Sequence, residues 1–248
     1  MRICLTRSAE DNAPLNRLLS ERGHDVCELP TAEIRFDTPV SIHKGLRALL
    51  TEHGVVAFTS RYGVRALASA LQEAPTDVLD LIQTQRWAAV GQATEEALVT
   101  LGFSVVLKPS VATGTQLAHA IGERFACATN VVHIAGRHAR PEFKEVLHRL
   151  GFRPQTLEVY SNEQPTSPSA ATLHIAGQAD VIYVAAPSAI DRLHRWRPAL
   201  IDKPLICIGP TTAQHLRETR SLDAAAIAAS ARLQDVVEAI ESCARESL

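Results

Sequence analysis

The chain has 248 residues, long for one compact core, so two domains of similar size are the first expectation. Hydrophobic residues make up 46% but aromatics only 4%, so the core must be aliphatic, which suits buried parallel strands covered by helices on both faces. A net charge of -2 and a pI near 6.6 exclude a whole-molecule field of the kind that gathers nucleic acid or coats a membrane, and any anionic ligand has to be held locally.

The N-terminus, MRICLTRSAEDN, carries Arg2, Arg7, Glu10 and Asp11 and so lacks the apolar core of a signal peptide. No 18-residue apolar run follows anywhere, and a cytoplasmic location without a membrane or nucleic-acid partner is expected. Residues 2–30, RICLTRSAEDNAPLNRLLSERGHDVCELP, read as strand, helix and strand. The segment 31–54 is poor in strand signal and has Pro39 among polar residues, as a linker would. Three strand-helix units come next: VVAFTSRYGVRALASAL from Val55, WAAVGQATEEALVTLG from Trp87 and VVLKPSVATGTQLAHAI from Val105. The series then starts again. VVHIAGRHARPEFKEVLHRLGFRPQTLEVY from Val131 resembles the opening unit, and SNEQPTSPSAATLHIAGQA after Tyr160 resembles the linker. VIYVAAPSAIDRLHRW from Val181, LICIGPTTAQHLRETR from Leu205 and AAAIAASARLQDVVEAI from Ala224 then answer the three strand-helix units in order.

The separations of Gly91 from Gly209, Thr94 from Thr212 and Ile121 from Ile240 agree within one residue, which points to two tandem halves. Alternating strands and helices predict parallel sheets with right-handed crossovers, an α/β doubly wound architecture. Linkers at matching positions would let the halves exchange their opening units, but the residues alone leave swapped and unswapped pairing open. The cysteines, Cys4, Cys27, Cys127, Cys207 and Cys243, are odd in number and form no CxxC pair. They read as small core residues in a reducing compartment, not as a disulfide framework or thiolate metal site.

In open α/β sheets the binding crevice lies beyond the carboxyl ends of the strands. Thr6, Arg7 and Ser8 stand at one such end, and Thr59 with Ser60, Gly91 to Thr94, Thr113 to Thr115, Gly136 with Arg137, Ala186 to Ser188 and Gly209 to Thr212 at the others. One hydroxyl before a helix is ordinarily just a cap. Seven such ends together predict a cleft that holds a multiply anionic ligand with hydroxyls and first-turn N–H groups, with Arg7, Arg137 and Arg140 as charged helpers. Motifs for dinucleotides, P-loop phosphates, zinc and hydrolase nucleophiles are missing, and His133 and His138, five apart across a strand-to-loop break, have no metal spacing. No cofactor or metal is therefore expected, and a reaction run by positioning is favoured.

FTSRYGVRAL from Phe58, AVGQATEEALVTLGF from Ala89, TLEVYSNEQP from Thr156 and CIGPTTAQHL from Cys207 resemble, in this order and spacing, the motifs of uroporphyrinogen-III synthases. The resemblance spans nearly the whole chain. It implies two flavodoxin-like domains, 1–33 with 166–248 and 38–158, joined by a two-stranded β-ladder formed by 33–37 and 157–165, with the active site in the cleft between them. It also implies a cyclising hydro-lyase of haem biosynthesis. The substrate would be hydroxymethylbilane, which carries an acetate and a propionate on every ring. Loss of its terminal hydroxyl gives an azafulvene, attack at the substituted carbon of the last pyrrole gives a spiro intermediate, and fragmentation and recombination deliver uroporphyrinogen III with ring D inverted.

By the same resemblance Tyr160 is the candidate acid for hydroxyl loss, the other reading being a tyrosine packed on the ladder with its hydroxyl in water. Thr6, Arg7, Ser60, Gly91, Thr94, Thr113, Gly114, Gly136, Arg137, Ser188, Thr211 and Thr212 are the candidate substrate-binding residues. Ala186 stands where the family commonly has a serine, and Asn162 where a threonine is common. A monomer is expected, with transient contact with hydroxymethylbilane synthase as the protein partner to look for. The competing readings are a non-catalytic two-lobed protein that binds anions or tetrapyrroles and a sensor fused to a DNA-binding module. The missing signal sequence and the lack of room for a helix-turn-helix count against them.

Overall fold

The structure is a computed structural model that describes residues 1–51 and 53–246. Its strands are β1 (Arg2–Leu5), β2 (Asp25–Glu28), β3 (Glu33–Phe36), β4 (Val55–Phe58), β5 (Arg86–Ala89), β6 (Val105–Leu107), β7 (Val131–Gly136), β8 (Gln155–Glu163), β9 (Val181–Val184), β10 (Leu205–Cys207) and β11 (Ala226–Ile227). The helices are α1 (Ala9–Glu21), α2 (Pro39–Leu49), α3 (Arg61–Leu71), α4 (Thr76–Gln83), α5 (Gln92–Thr100), α6 (Gly114–Arg124), α7 (Glu142–Arg149), α8 (Ala170–Gly177), α9 (Pro187–Trp196), α10 (Pro210–Arg220) and α11 (Leu233–Glu246). Small polar residues start many of them. Ser8, Thr38, Ser60, Thr113 and Ser169 each accept a first-turn N–H and cap α1, α2, α3, α6 and α8. Among the described residues no helix is long and apolar enough to cross a membrane.

The chain divides into two compact units, Met1–Glu33 with Glu163–Leu248, and Ile34–Asn162. The first holds a five-stranded sheet ordered β11-β10-β9-β1-β2. The second holds a six-stranded sheet ordered β3-β8-β7-β4-β5-β6. The first sheet is parallel throughout, and so is the run from β8 to β6 in the second. This is the α/β doubly wound architecture that the alternating pattern predicts. The pairing left open by the residues is the swapped one. β1 and β2 join β9, β10 and β11, whereas β7 and β8, their counterparts in the repeat, join β4, β5 and β6. The ladder strands β3 and β8 lie side by side, and β7 continues them into the six-stranded sheet.

Each sheet is buried on both faces, and the period of two sorts its residues into separate clusters. In the first unit Cys4, Ile182, Val184 and Cys207 face one cluster, and Ile3, Leu5, Val181, Tyr183 and Ile206 the other. In the second unit Val56, Phe58, Ala89 and Ile134 pack on one side, and Val55, Ala57, Ala88 and Val131 on the other. Aliphatic side chains dominate, as the composition requires. The topological switch points, where crossovers leave in opposite directions, fall between β1 and β9 and between β4 and β7.

Candidate active site

At the carboxyl edge of the second sheet, beside its switch point, lies a cavity of about 600 Å³. Its wall begins where β4 ends. Thr59 lines the cavity, and Ser60, the next residue, accepts the Tyr62 N–H at 3.2 Å to start α3. On the far side Thr113 caps α6 by accepting the Gln116 N–H at 3.2 Å, and Gly114 and Thr115 follow it along the wall. A Cβ on Gly114 would stand 3.3 Å from the Cβ of Phe143, so glycine lets the start of α6 close up on α7. The N-termini of α3 and α6 thus carry their partial positive charge to one hollow.

The loop after β7 and the first turn of α7 supply His138, Arg140, Glu142 and Phe143. Arg140 is exposed and has no ion-pair or hydrogen-bond partner among the described residues, which leaves its guanidinium available to a ligand. Arg137 is differently placed. Its guanidinium donates to Asp37 at 2.7 Å and holds the end of β7 to the residue that follows β3.

Tyr160 completes the wall, and a β-bulge sets its position. Along β7 and β8, Ala135 is opposite Glu158 but Gly136 is opposite Tyr160, so one extra residue, Val159, enters β8 at this point. The Arg137 N–H donates to the Tyr160 carbonyl at 2.9 Å just beyond the bulge. The ring then lies on Gly136. A Cβ there would stand 2.7 Å from ring carbons Cε2 and Cζ and 3.1 Å from the hydroxyl oxygen, closer than carbon atoms pack. Tyr62 leans on the ring with centroids 5.7 Å apart. The hydroxyl itself has no hydrogen-bond partner among the described residues.

Behind this wall sits a polar residue in an apolar strand. His133 is 3% exposed in β7, where its neighbours are Val131, Val132, Ile134 and Ala135. Its Nε2 lies 2.8 Å from the Thr59 hydroxyl, and its ring is 4.5 Å from that of Phe143. Burial disfavours the imidazolium and pushes its pKa down to about 4, so the ring is neutral at physiological pH.

The cavity therefore gathers Ser60, Thr113, Gly114 and Tyr160 from the residues read in the sequence, with Gly136 and Arg137 behind Tyr160. Gly91 caps the start of α5, with a would-be Cβ 2.8 Å from that of Ala112 in the cavity wall, while Thr94 lies in the first turn of that helix and is buried. The other candidates stand on the first unit. Thr6 is buried, donating to the Tyr183 carbonyl at 2.7 Å and accepting from Thr31 at 2.9 Å through its own carbonyl. Arg7 pairs with Asp11 at 2.9 Å. Ser188 and Thr211 are exposed in the first turns of α9 and α10, and Thr212 is buried. Sequence reasoning weighed His133 only as a metal ligand, rejected that role, and overlooked Glu142 and Phe143. A lone histidine in the run VVHIAG was the signal for the first, and the other two are brought in only by the packing of α7.

A family model described as Uroporphyrinogen-III synthase HemD matches residues 13–238. A curated uroporphyrinogen-III synthase of Chlorobaculum parvum is 28% identical over 165 residues, 66% of this chain and 65% of that protein. The match thus spans slightly less than two thirds of that relative's length. Among solved structures, the uroporphyrinogen-III synthetase of Helicobacter pylori superposes with a TM-score of 0.68 at 18% identity, covering 98% of this chain and 99% of that one. A mutant uroporphyrinogen III synthase of Thermus thermophilus gives 0.65 at 16% identity, with 99% of each chain covered. At such identities the two structures speak for the fold.

Proposed function

The chain belongs to the uroporphyrinogen-III synthase family, and from that membership we propose that it cyclises and dehydrates hydroxymethylbilane to uroporphyrinogen III with inversion of ring D. The observation that carries the reading is Tyr160, an unpartnered phenol set by a bulge and a glycine at the wall of a cavity rich in hydroxyls and first-turn N–H groups. A bilane with a carboxylate pair on each ring matches such donors, and a net charge of -2 supplies no whole-molecule positive field to hold it otherwise.

In this proposal Ser60, Thr113, Gly114 and Arg140 hold carboxylates on the second unit, with Gly91, Thr94, Gly136 and Arg137 shaping their surroundings. Arg7, Ser188, Thr211 and Thr212 serve on the carboxyl edge of the first unit, which Thr6 braces. Tyr160 donates its proton to the terminal hydroxyl as the C–O bond breaks, and water leaves. Ring D then attacks the azafulvene through its substituted carbon, and the spiro intermediate fragments and recombines. The proton lost on final aromatisation balances the one spent.

Free bilane closes without help to the uninverted isomer, so steering matters more than bond activation. Holding the ends in the productive geometry is the main catalytic term, and proton transfer from Tyr160 adds about 10²-fold. Spontaneous closure also favours a short transit from hydroxymethylbilane synthase to this chain, acting as a monomer in the cytoplasm. The test supplies bilane generated in situ and separates the oxidised products by isomer. Conversion to the inverted isomer above the buffer control supports the proposal, and only the uninverted isomer at the control rate rejects it.

A further inference from the structure

Among the buried polar residues that the mechanism leaves unused, His133 stands directly behind the cavity wall. Strand β7 places His133 in a row with Val131 and Ala135, on the face that packs against α6 and α7. Its partner across the ladder is Ala57, whose small side chain leaves room for an imidazole to reach along the sheet. Two residues on from Ala57 and on the same face comes Thr59, at the cavity wall, with its hydroxyl 2.8 Å from His133 Nε2. The Phe143 ring, itself part of that wall, closes over the imidazole. A valine or isoleucine in this strand would avoid the cost of burying a polar ring, so the hydrogen bond to Thr59 is what the position offers in return.

We propose that His133 is a positioning residue: its Nε2–H donates to Thr59 Oγ1 and so turns the Thr59 proton toward the cavity, as a fixed donor for a ligand carboxylate. A hydroxyl left alone rotates among several partners. One whose oxygen already accepts from a buried N–H keeps a preferred direction for its own hydrogen, and the two bonds polarise each other. A neutral imidazole suits this task because it brings a donor without placing a buried cation in the strand. The ligand class follows from the neighbours, since Ser60, Thr113 and Arg140 around the same hollow are also donors. The inference rests on the proposal that this cavity holds the carboxylated bilane.

The test uses the full chain. Nitrogen-15 NMR of histidine-labelled protein at neutral pH reads the tautomer directly, and the proposal expects the Nε2–H form at His133. Steady-state kinetics with bilane generated in situ then compare Thr59→Val, His133→Leu and the double variant, with thermal melting as a check on folding. Loss of one oriented hydrogen bond raises KM on the order of tenfold in either single variant, with a smaller change in kcat. The double variant is no worse than Thr59→Val, because His133 acts only through Thr59. His133→Gln, whose amide can donate in the same place, recovers most of the loss.

An Nδ1–H tautomer, an unmoved KM in a folded His133→Leu, or effects that multiply in the double variant would each overturn the inference. If His133→Leu does not fold, the tautomer and the Gln variant decide. A wild-type chain that makes no inverted isomer instead refutes the proposed function, so the two failures are distinguishable.

Discussion

Gly136→Ala is the sharpest perturbation of the site, because it adds a single methyl group at a position where the backbone itself has no need of glycine. Gly136 shows no positive φ and ends a regular strand, so alanine costs nothing in backbone conformation. The cost comes from Tyr160. The new Cβ lies 2.7 Å from two ring carbons, and moving them to an ordinary carbon contact takes about 1 Å. Tyr62 limits that movement on the ring's neighbouring side, and the bulge holds the Tyr160 backbone through the Arg137 N–H bond. Overpacking of this kind costs roughly 1–3 kcal/mol, or a fall in Tm of roughly 2–12 °C for a chain of this size. If the phenol is the acid, displacing it by about 1 Å lowers kcat on the order of 10²-fold. Melting curves and initial rates of inverted-isomer formation measure both effects. A variant with wild-type Tm and wild-type kcat would refute the reasoning, for it would mean that the ring does not rest on Gly136.

Gly91 and Gly209 occupy equivalent places in the repeat but different surroundings: an added Cβ meets Ala112 at 2.8 Å at the first and nothing within 4 Å at the second. Both have extended φ, so Gly91→Ala should lose about 1–3 kcal/mol and Gly209→Ala almost none in the same melting assay. Arg140→Ala should raise KM roughly three- to tenfold with an unchanged Tm, and Arg137→Ala should have the smaller effect, its guanidinium being taken up by Asp37. His133 should contribute to acid stability. Its folded pKa of about 4 lies below the ordinary 6.5, so as pH falls the unfolded chain takes up the proton first. The contribution is full above pH 6.5 and is lost between there and about 4, amounting to about 3 kcal/mol. His133→Gln should flatten the fall of Tm across that window, and an unchanged slope would show that His133 is not the group responsible.

The tandem repeat was legible because its units share hydrophobic period, turn residues and spacing, and Thr94 and Thr212 landed in equivalent buried places at the starts of α5 and α10. The exchange of opening units was not, since β1 pairs with β9 by long-range contact and nothing local in Ile3 to Leu5 distinguishes that partner from β4. Ser60 and Thr113 were readable as caps facing a strand edge, because capping is local chemistry. The seat of Tyr160 was hidden, as a register shift at Val159 leaves no mark on the pattern of β8. The engagement of Arg7 with Asp11 follows from their i,i+4 spacing across the start of α1, whereas that of Arg137 with Asp37 depends on β3 and β8 lying side by side. His133 was weighed in the sequence only for metal spacing, and its bond to Thr59 depends on β4 and β7 lying side by side.

The central claim is that the held shape of the bilane, more than the acid, decides the product. The direct measurement is the isomer composition formed by Tyr160→Phe with enzyme in excess over freshly generated hydroxymethylbilane, so that enzymatic closure outruns the spontaneous reaction. The account predicts a kcat lower by about 10²-fold, with the inverted isomer still the product and Tm unchanged. A Tyr160→Phe chain that stays folded, binds bilane and releases only the uninverted isomer would contradict it.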